Sequence, residues 1–161
     1  MKGEVTREMF DFVPEIDFQI GYKYFLGNMD NYKQALLAIL KSIKAKLPLL
    51  HTMLHTEEFE GLRMITQTVT RMSSNVGAIG ISELSYQMEI NLLNAEESDL
   101  KEALLEYIME LTDFTVHLEL LLQNIDIKST TSNNQNSFRD DFTKTQESLR
   151  LSAKLLKRKI I

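Results

Sequence analysis

Two long stretches of this chain carry apolar residues at helical spacing for turn after turn, and this confines it to a helical architecture. In the first, about 29–55, Tyr32, Leu36, Ile39, Leu40, Ile43, Leu47, Leu50 and Leu54 recur every three or four residues. Lys33, Lys41, Lys44 and Lys46 are expected on the opposite face. In the second, about 99–123, Leu104, Tyr107, Ile108, Leu111, Phe114, Leu118 and Leu121 do the same. Pro48 falls inside the first stretch, but the stripe continues in phase beyond it, so a kink is predicted rather than an end. No segment shows a hairpin signal.

Shorter helices fit between and before these two. Pro14 breaks the first residues, which read as a mobile lead-in. Asp17 is placed to cap a short helix over 17–26, with Ile20, Tyr24 and Phe25 as its apolar side, stopped by Gly27-Asn28. Thr56-Glu57-Glu58 reads as a cap-like turn. A helix over about 57–77 should turn Phe59, Leu62, Ile65, Val69, Met72 and Val76 inward. Another, starting near Ser82, should bury Leu84, Met88 and Leu92. Residues 94–98 read as an acidic loop, with Ser98 capping the helix that follows. Residues 125–137 are a polar linker by composition, and an amphipathic helix is predicted from about 138 to 158. Its apolar side is Phe138, Phe142, Leu149, Ala153, Leu156 and Ile160. The domain plan is therefore a lead-in over 1–15, a helical bundle over 16–124, the linker, and a C-terminal helix within 138–161. The fold class is all-α, an antiparallel four-helix bundle with a short N-terminal helix and an additional C-terminal one.

Several function classes are disfavoured at once. A net charge of −5 argues against a nucleic-acid binder as a whole. With no cysteine, disulfides and thiolate metal sites are excluded. No apolar run reaches bilayer-spanning length, and Met1-Lys2-Gly3-Glu4 lacks the apolar core of a signal peptide, so a cytoplasmic location is expected.

Three groups of residues carry a more specific message. The first is Ile16-Asp17-Phe18-Gln19-Ile20-Gly21 followed by Gly27-Asn28-x-x-x-Tyr32. The second is Thr66-Gln67-Thr68-Val69-Thr70-Arg71-Met72-Ser73-Ser74-Asn75-Val76-Gly77-Ala78. The third is Ser82-Glu83-Leu84-x-x-x-Met88-Glu89. In order and spacing they resemble the histidine phosphotransfer (HPt) family over roughly residues 16–122. That family opens with Ile-Asp-x-x-x-Gly and Gly-Asp-x-x-x-Tyr. It then carries Ala-His-x-Leu-Lys-Gly-x-x-x-x-Ile/Leu-Gly-Ala and Leu-x-x-x-Leu-Glu. The resemblance implies an antiparallel four-helix bundle that exchanges phosphoryl groups with receiver domains.

The chain departs from the pattern where the chemistry would occur. Gln67 stands in the place of the phosphorylated His, Thr70 in the place of the Lys, and Arg71 in the place of the Gly. An imidazole is nucleophilic near neutral pH, whereas a carboxamide neither titrates nor attacks. Thr70 cannot offset phosphate charge, and Arg71 fills the room through which a receiver would approach. No catalytic residue, metal site or cofactor is therefore expected, and the chain is not expected to be an enzyme.

With Ile65 and Val69 facing the core, Arg63, Gln67, Thr70, Arg71 and Ser74 should share an outward stripe. Two arginines then flank Gln67, and the expected use of this face is docking on the acidic pocket of a response-regulator receiver, or on a histidine kinase. The competing view is an ordinary solvated helix face.

His51 and His55, one turn apart, could hold a metal only with a third ligand that the sequence does not offer; they read as surface residues near a helix C-terminus. His117 reads as a boundary residue. The paired acids Glu57/Glu58, Glu96/Glu97 and Asp140/Asp141 are assigned to capping helix starts. The basic end of the last helix, Arg150, Lys154, Lys157, Arg158 and Lys159, points to docking on the bundle or to a homodimer. The expected function is modulation of a two-component phosphorelay by binding. Two other readings stay open, an active carrier using another His and a helical scaffold outside phosphorelay.

Overall fold

The computed structural model describes residues 7–94 and 97–129. They form a 3-10 helix, Arg7–Phe12, and five α-helices: α1 (Phe18–Tyr24), α2 (Met29–Thr56), α3 (Phe59–Asn75), α4 (Ile79–Asn94) and α5 (Glu97–Ser129). The described residues are all-helical, with no strand among them. None of these helices is long and apolar enough to cross a membrane.

The two predicted stripes form an apolar seam between α2 and α5. All eight apolar positions named on α2 and all seven on α5 are buried. Each fully buried Leu or Ile is worth roughly 1.5–3 kcal/mol of transfer free energy before chain entropy is counted. α2 runs through Pro48 without ending. Lys44 does not lie on a solvated face as expected. It is half-buried, and its charge acts on Glu119 of α5. Near the other end of the seam, Lys101 Nζ of α5 lies 3.6 Å from Glu57 Oε1 at the end of α2. Matching 44 with 119 and 57 with 101 requires α2 and α5 to run in opposite directions.

α3 and α4 are joined by Val76-Gly77-Ala78 and approach each other along their lengths. α3 also touches α2, and α4 also touches α5, so the four long helices are in contact in sequence with α5 closing back on α2.

Several boundaries and faces differ from expectation, each for an identifiable reason. The lead-in is packed from the 3-10 helix onward. Met9, Phe10 and Val13 fall on one side of it and are buried, and Phe10 stacks on Tyr32 with ring centroids 5.7 Å apart. Asp17 caps α1 as predicted, accepting from the Gln19 and Ile20 amides. The inner side of α1 is Phe18, Gly21 and Phe25, however, while Ile20 and Tyr24 are 43% and 57% exposed. α4 begins at Ile79, not near Ser82, and buries Ile81, Ser85 and Met88. Leu84 and Leu92 sit at the margin, because the helix is rotated to bring Ser85 Oγ within 2.8 Å of Tyr107 Oη. On α3, Met72 is also marginal, and Phe59, at the first residue of the helix, is exposed rather than turned inward. Ser98 lies inside α5 rather than capping it. Glu57 takes a left-handed conformation (φ 58°) at the end of α2, and Glu58 precedes α3 without a side-chain cap bond. α5 continues past the expected start of the linker at 125, because Leu121, Leu122 and Ile125 prolong its buried side. The rest of that linker, residues 95–96 of the acidic loop and the predicted helix over 138–158 lie outside the described residues.

Candidate functional site

Two of the three sequence groups that carry the resemblance, the first and the second, meet at the α3–α4 turn. The Asp17 amide donates to the Gly77 carbonyl at 2.8 Å. The Tyr32 hydroxyl donates to the Val76 carbonyl at 2.7 Å. Burial holds the Tyr32 phenol far above its ordinary range, so it stays a donor. Gly21 packs against this bond so closely that a Cβ there would overlap Tyr32 Oη and the Val76 carbonyl. Gly77 has φ +83°, and a Cβ on it would overlap the Asp17 carbonyl. Asp17, Gly21, Tyr32 and Gly77 thus form one joint between α1, α2 and the α3–α4 turn.

From that joint α3 rises with Gln67 near its middle. Gln67 is half-buried, and its Nε2 donates to Oε1 of Glu89 on α4 at 2.7 Å. The same oxygen lies 3.9 Å from Nε of Arg63, whose Nη1 is 3.7 Å from Glu60 Oε2. Arg63 Nε is buried and makes no hydrogen bond, so its link to Glu89 is electrostatic contact at the edge of range. Thr70 Oγ1 donates back to the Thr66 carbonyl at 2.8 Å. The Thr70 carbonyl in turn accepts from Ser82 Oγ at 3.1 Å.

The predicted stripe therefore divides. Arg63, Gln67 and Thr70 border the crevice between α3 and α4 and are engaged there. Arg71 and Ser74 are exposed, and among the described residues Arg71 has no acidic partner. A partner reaching this face meets one open guanidinium beside a satisfied Gln–Glu–Arg cluster. Gln67 itself offers a carboxamide, which neither titrates nor acts as a nucleophile.

Glu89 is the site residue that sequence reasoning missed, although it stood within the third quoted group. The signal was only partial: counting equal steps outward from the Val76-Gly77-Ala78 turn brings position 67 level with position 87, about half a helical turn from Glu89, which gives the level but not the face.

The histidines fall elsewhere. His51 is half-buried, and its Nε2 is enclosed without a hydrogen-bond partner. Burial, reinforced by the neighbouring His55, pushes its pKa down and keeps it neutral. His55 is exposed. No group of three or more metal-ligating side chains exists among the described residues. His117 Nδ1 lies 2.7 Å from Glu15 Oε1, and so ties the segment before α1 to α5. No protein-family model, no curated protein and no solved structure matches this chain.

Proposed function

We propose that this chain is an HPt-like antiparallel four-helix bundle that has Gln67 in place of the motif's phosphorylatable His and acts by occupying a receiver domain or a histidine kinase. The observation that carries the reading is the convergence at the Gly77 turn. Asp17, Gly21, Tyr32 and Gly77 were quoted as separate fragments of one pattern, and they contact one another across α1, α2 and the α3–α4 connection. A chance assembly of short matches has no reason to close into one joint.

The docking face is Arg63, Gln67, Thr70, Arg71 and Ser74, with Arg71 as its forward cation. Glu89 holds Gln67 and Arg63 back against α4, so the face is preorganised without presenting a nucleophile. An acidic receiver pocket would gain a charge-assisted hydrogen bond from Arg71.

Titration calorimetry of the purified chain against receiver domains and kinase domains at moderate salt tests this. The expected result is saturable binding to one or two of them, weakened at least tenfold, about 1.4 kcal/mol, by Arg71→Glu. Binding to none of them, or binding indifferent to Arg71→Glu, would remove the docking face from the account.

A further inference from the structure

We propose that the turn between α1 and α2, Tyr22–Gly27, is a peripheral anchor whose side chains enter the interface of an anionic lipid bilayer. The observation that carries it is a leucine where the backbone favours glycine. The chain leaves α1 through two successive left-handed residues, Leu26 at φ 55° and Gly27 at φ 73°. The Leu26 amide donates to the Lys23 carbonyl at 3.0 Å and the Gly27 amide to the Tyr22 carbonyl at 2.9 Å, which closes the helix end. Glycine takes this conformation freely, whereas a side chain at position 26 costs stability. Leu26 recovers nothing within the chain, because it is 93% exposed, more than any other large hydrophobic among the described residues. Strain of this kind, at a residue whose apolar side chain stands in water, points to a role outside the folded chain.

The surroundings of Leu26 specify the medium. Ile20, Tyr22 and Tyr24 are exposed as well, so four of the ten exposed large hydrophobics among the described residues fall between positions 20 and 26. A concentration of this kind marks a contact surface. Its rings are held in place. Tyr22 stacks on Phe18 and Tyr24 meets Phe25 edge-on, each with ring centroids 5.2 Å apart, and Phe18 and Phe25 pack against the core. Tyrosine has an apolar body and a hydroxyl tip, which suits the headgroup level of a bilayer, while a projecting leucine reaches the acyl boundary. Lys23, between the two tyrosines in sequence, is exposed and can extend its ammonium among the headgroups. A bilayer takes up such side chains singly and needs no matching pocket, which fits a projecting turn.

The charge agrees with an anionic surface. Residues 18–56 hold five lysines and a single acid, Asp30, in a chain of net charge −5. The segment that carries the turn is thus basic in an acidic molecule, and anionic headgroups attract it. The contact is peripheral, since no helix among the described residues is long and apolar enough to cross a membrane. The turn lies outside the Arg63–Ser74 face, and the inference does not rest on the phosphorelay reading.

The chain has no tryptophan, so Tyr24→Trp places a single fluorophore on the turn and keeps an interfacial ring there. The full chain with this change is titrated with vesicles of phosphatidylcholine containing about one-third phosphatidylserine. The expected result is a blue-shifted emission quenched by brominated acyl chains, with binding at least about fivefold weaker to phosphatidylcholine alone. Adding Leu26→Gly should weaken binding at least about tenfold, because the deepest apolar side chain is lost. The same change relieves the left-handed strain, so the thermal midpoint followed by helical circular dichroism should not fall, which separates a lost anchor from a lost fold. Emission that shifts without lipid as protein concentration rises would assign the turn to a second copy and overturn the proposal. No shift with vesicles, binding indifferent to Leu26→Gly, or equal binding to both kinds of vesicle would overturn it as well.

Discussion

The α2–α5 seam and the α3–α4 pair are built from different materials. The first is dominated by Leu, Ile, Tyr and Phe, although α5 also buries Thr112, Thr115 and Glu119, the last within the field of Lys44. The second places Thr66, Ser73 and Ser85 among its buried positions and closes its outer edge with Gln67, Glu89 and Arg63. Apolar seams hold a fold together because every methylene removed from water contributes and none needs a specific partner. Polar edges contribute less to stability, but they fix the positions of groups that another molecule can read. On the proposed function, cohesion falls to α2–α5 and the docking surface to α3–α4.

Truncation of the seam should produce the largest effect. Phe114 is fully buried on α5, and Phe114→Ala should cost about 3–5 kcal/mol through lost transfer energy and the cavity left behind. Urea unfolding followed by helical circular dichroism would measure it. A cost below about 1 kcal/mol would mean that the seam is not what holds the helices together.

The joint at the Gly77 turn should come next. Gly21→Ala forces a methyl group onto the Tyr32–Val76 hydrogen bond, and the overlapping atoms are a backbone carbonyl and a packed ring. The expected loss is about 1–3 kcal/mol, from overpacking together with the broken bond. Tyr32→Phe, which removes the hydroxyl and leaves the ring, should cost about 1–2 kcal/mol because the Val76 carbonyl loses its donor. If both variants are neutral, the motif fragments meet there without consequence.

The charge within the seam offers a pH-dependent test. Burial pushes Glu119 up to about 7, against the opposing pull of Lys44. A carboxyl group whose pKa is higher in the folded than in the unfolded chain binds more protons when folded. Its contribution to stability therefore falls as pH rises from its ordinary 4.5 to about 7, and is constant above that. Glu119→Gln should remove this decline and gain about 1–2 kcal/mol relative to the parent at pH 8, a value reduced for residual solvent screening. The decisive measurement is the difference between parent and variant across pH 4–8. A difference that does not change with pH would show that the carboxyl group binds its proton equally in the folded and unfolded chains.

What the sequence disclosed follows the same division. On α2 and α5 every apolar position named in the stripes is buried, because burial against a helix face demands the period, although Leu100, Leu105, Leu122 and Ile125 of α5 are buried outside the named set. The α1 and α4 faces were misread, since short or weakly amphipathic helices let Ile20 and Tyr24 look as apolar as Phe18, and Leu84 as buried as Ser85. Buried serine and threonine leave no periodic signal. The position of Gln67 on α3 could be counted, but its bond to Glu89 depends on how far α3 and α4 rotate about their axes, which no single helix specifies. The packed lead-in was missed because a 3-10 helix around Met9 and Phe10 is too brief to show a period.

The smallest effect is the most discriminating. Arg71 is exposed, and among the described residues it has no acidic partner. Arg71→Glu should therefore change stability by no more than about 0.5 kcal/mol. Glu89→Ala frees Gln67 and Arg63 together and should cost about 0.5–1.5 kcal/mol. Measured on the same samples, partner binding should rank the two variants the other way, with Arg71→Glu the more damaging because it reverses the charge that meets the partner, whereas Glu89→Ala only loosens the surface around it. If binding and stability instead rank them alike, the α3–α4 edge contributes to recognition only by remaining folded, and the division of labour between the two halves of the molecule does not hold.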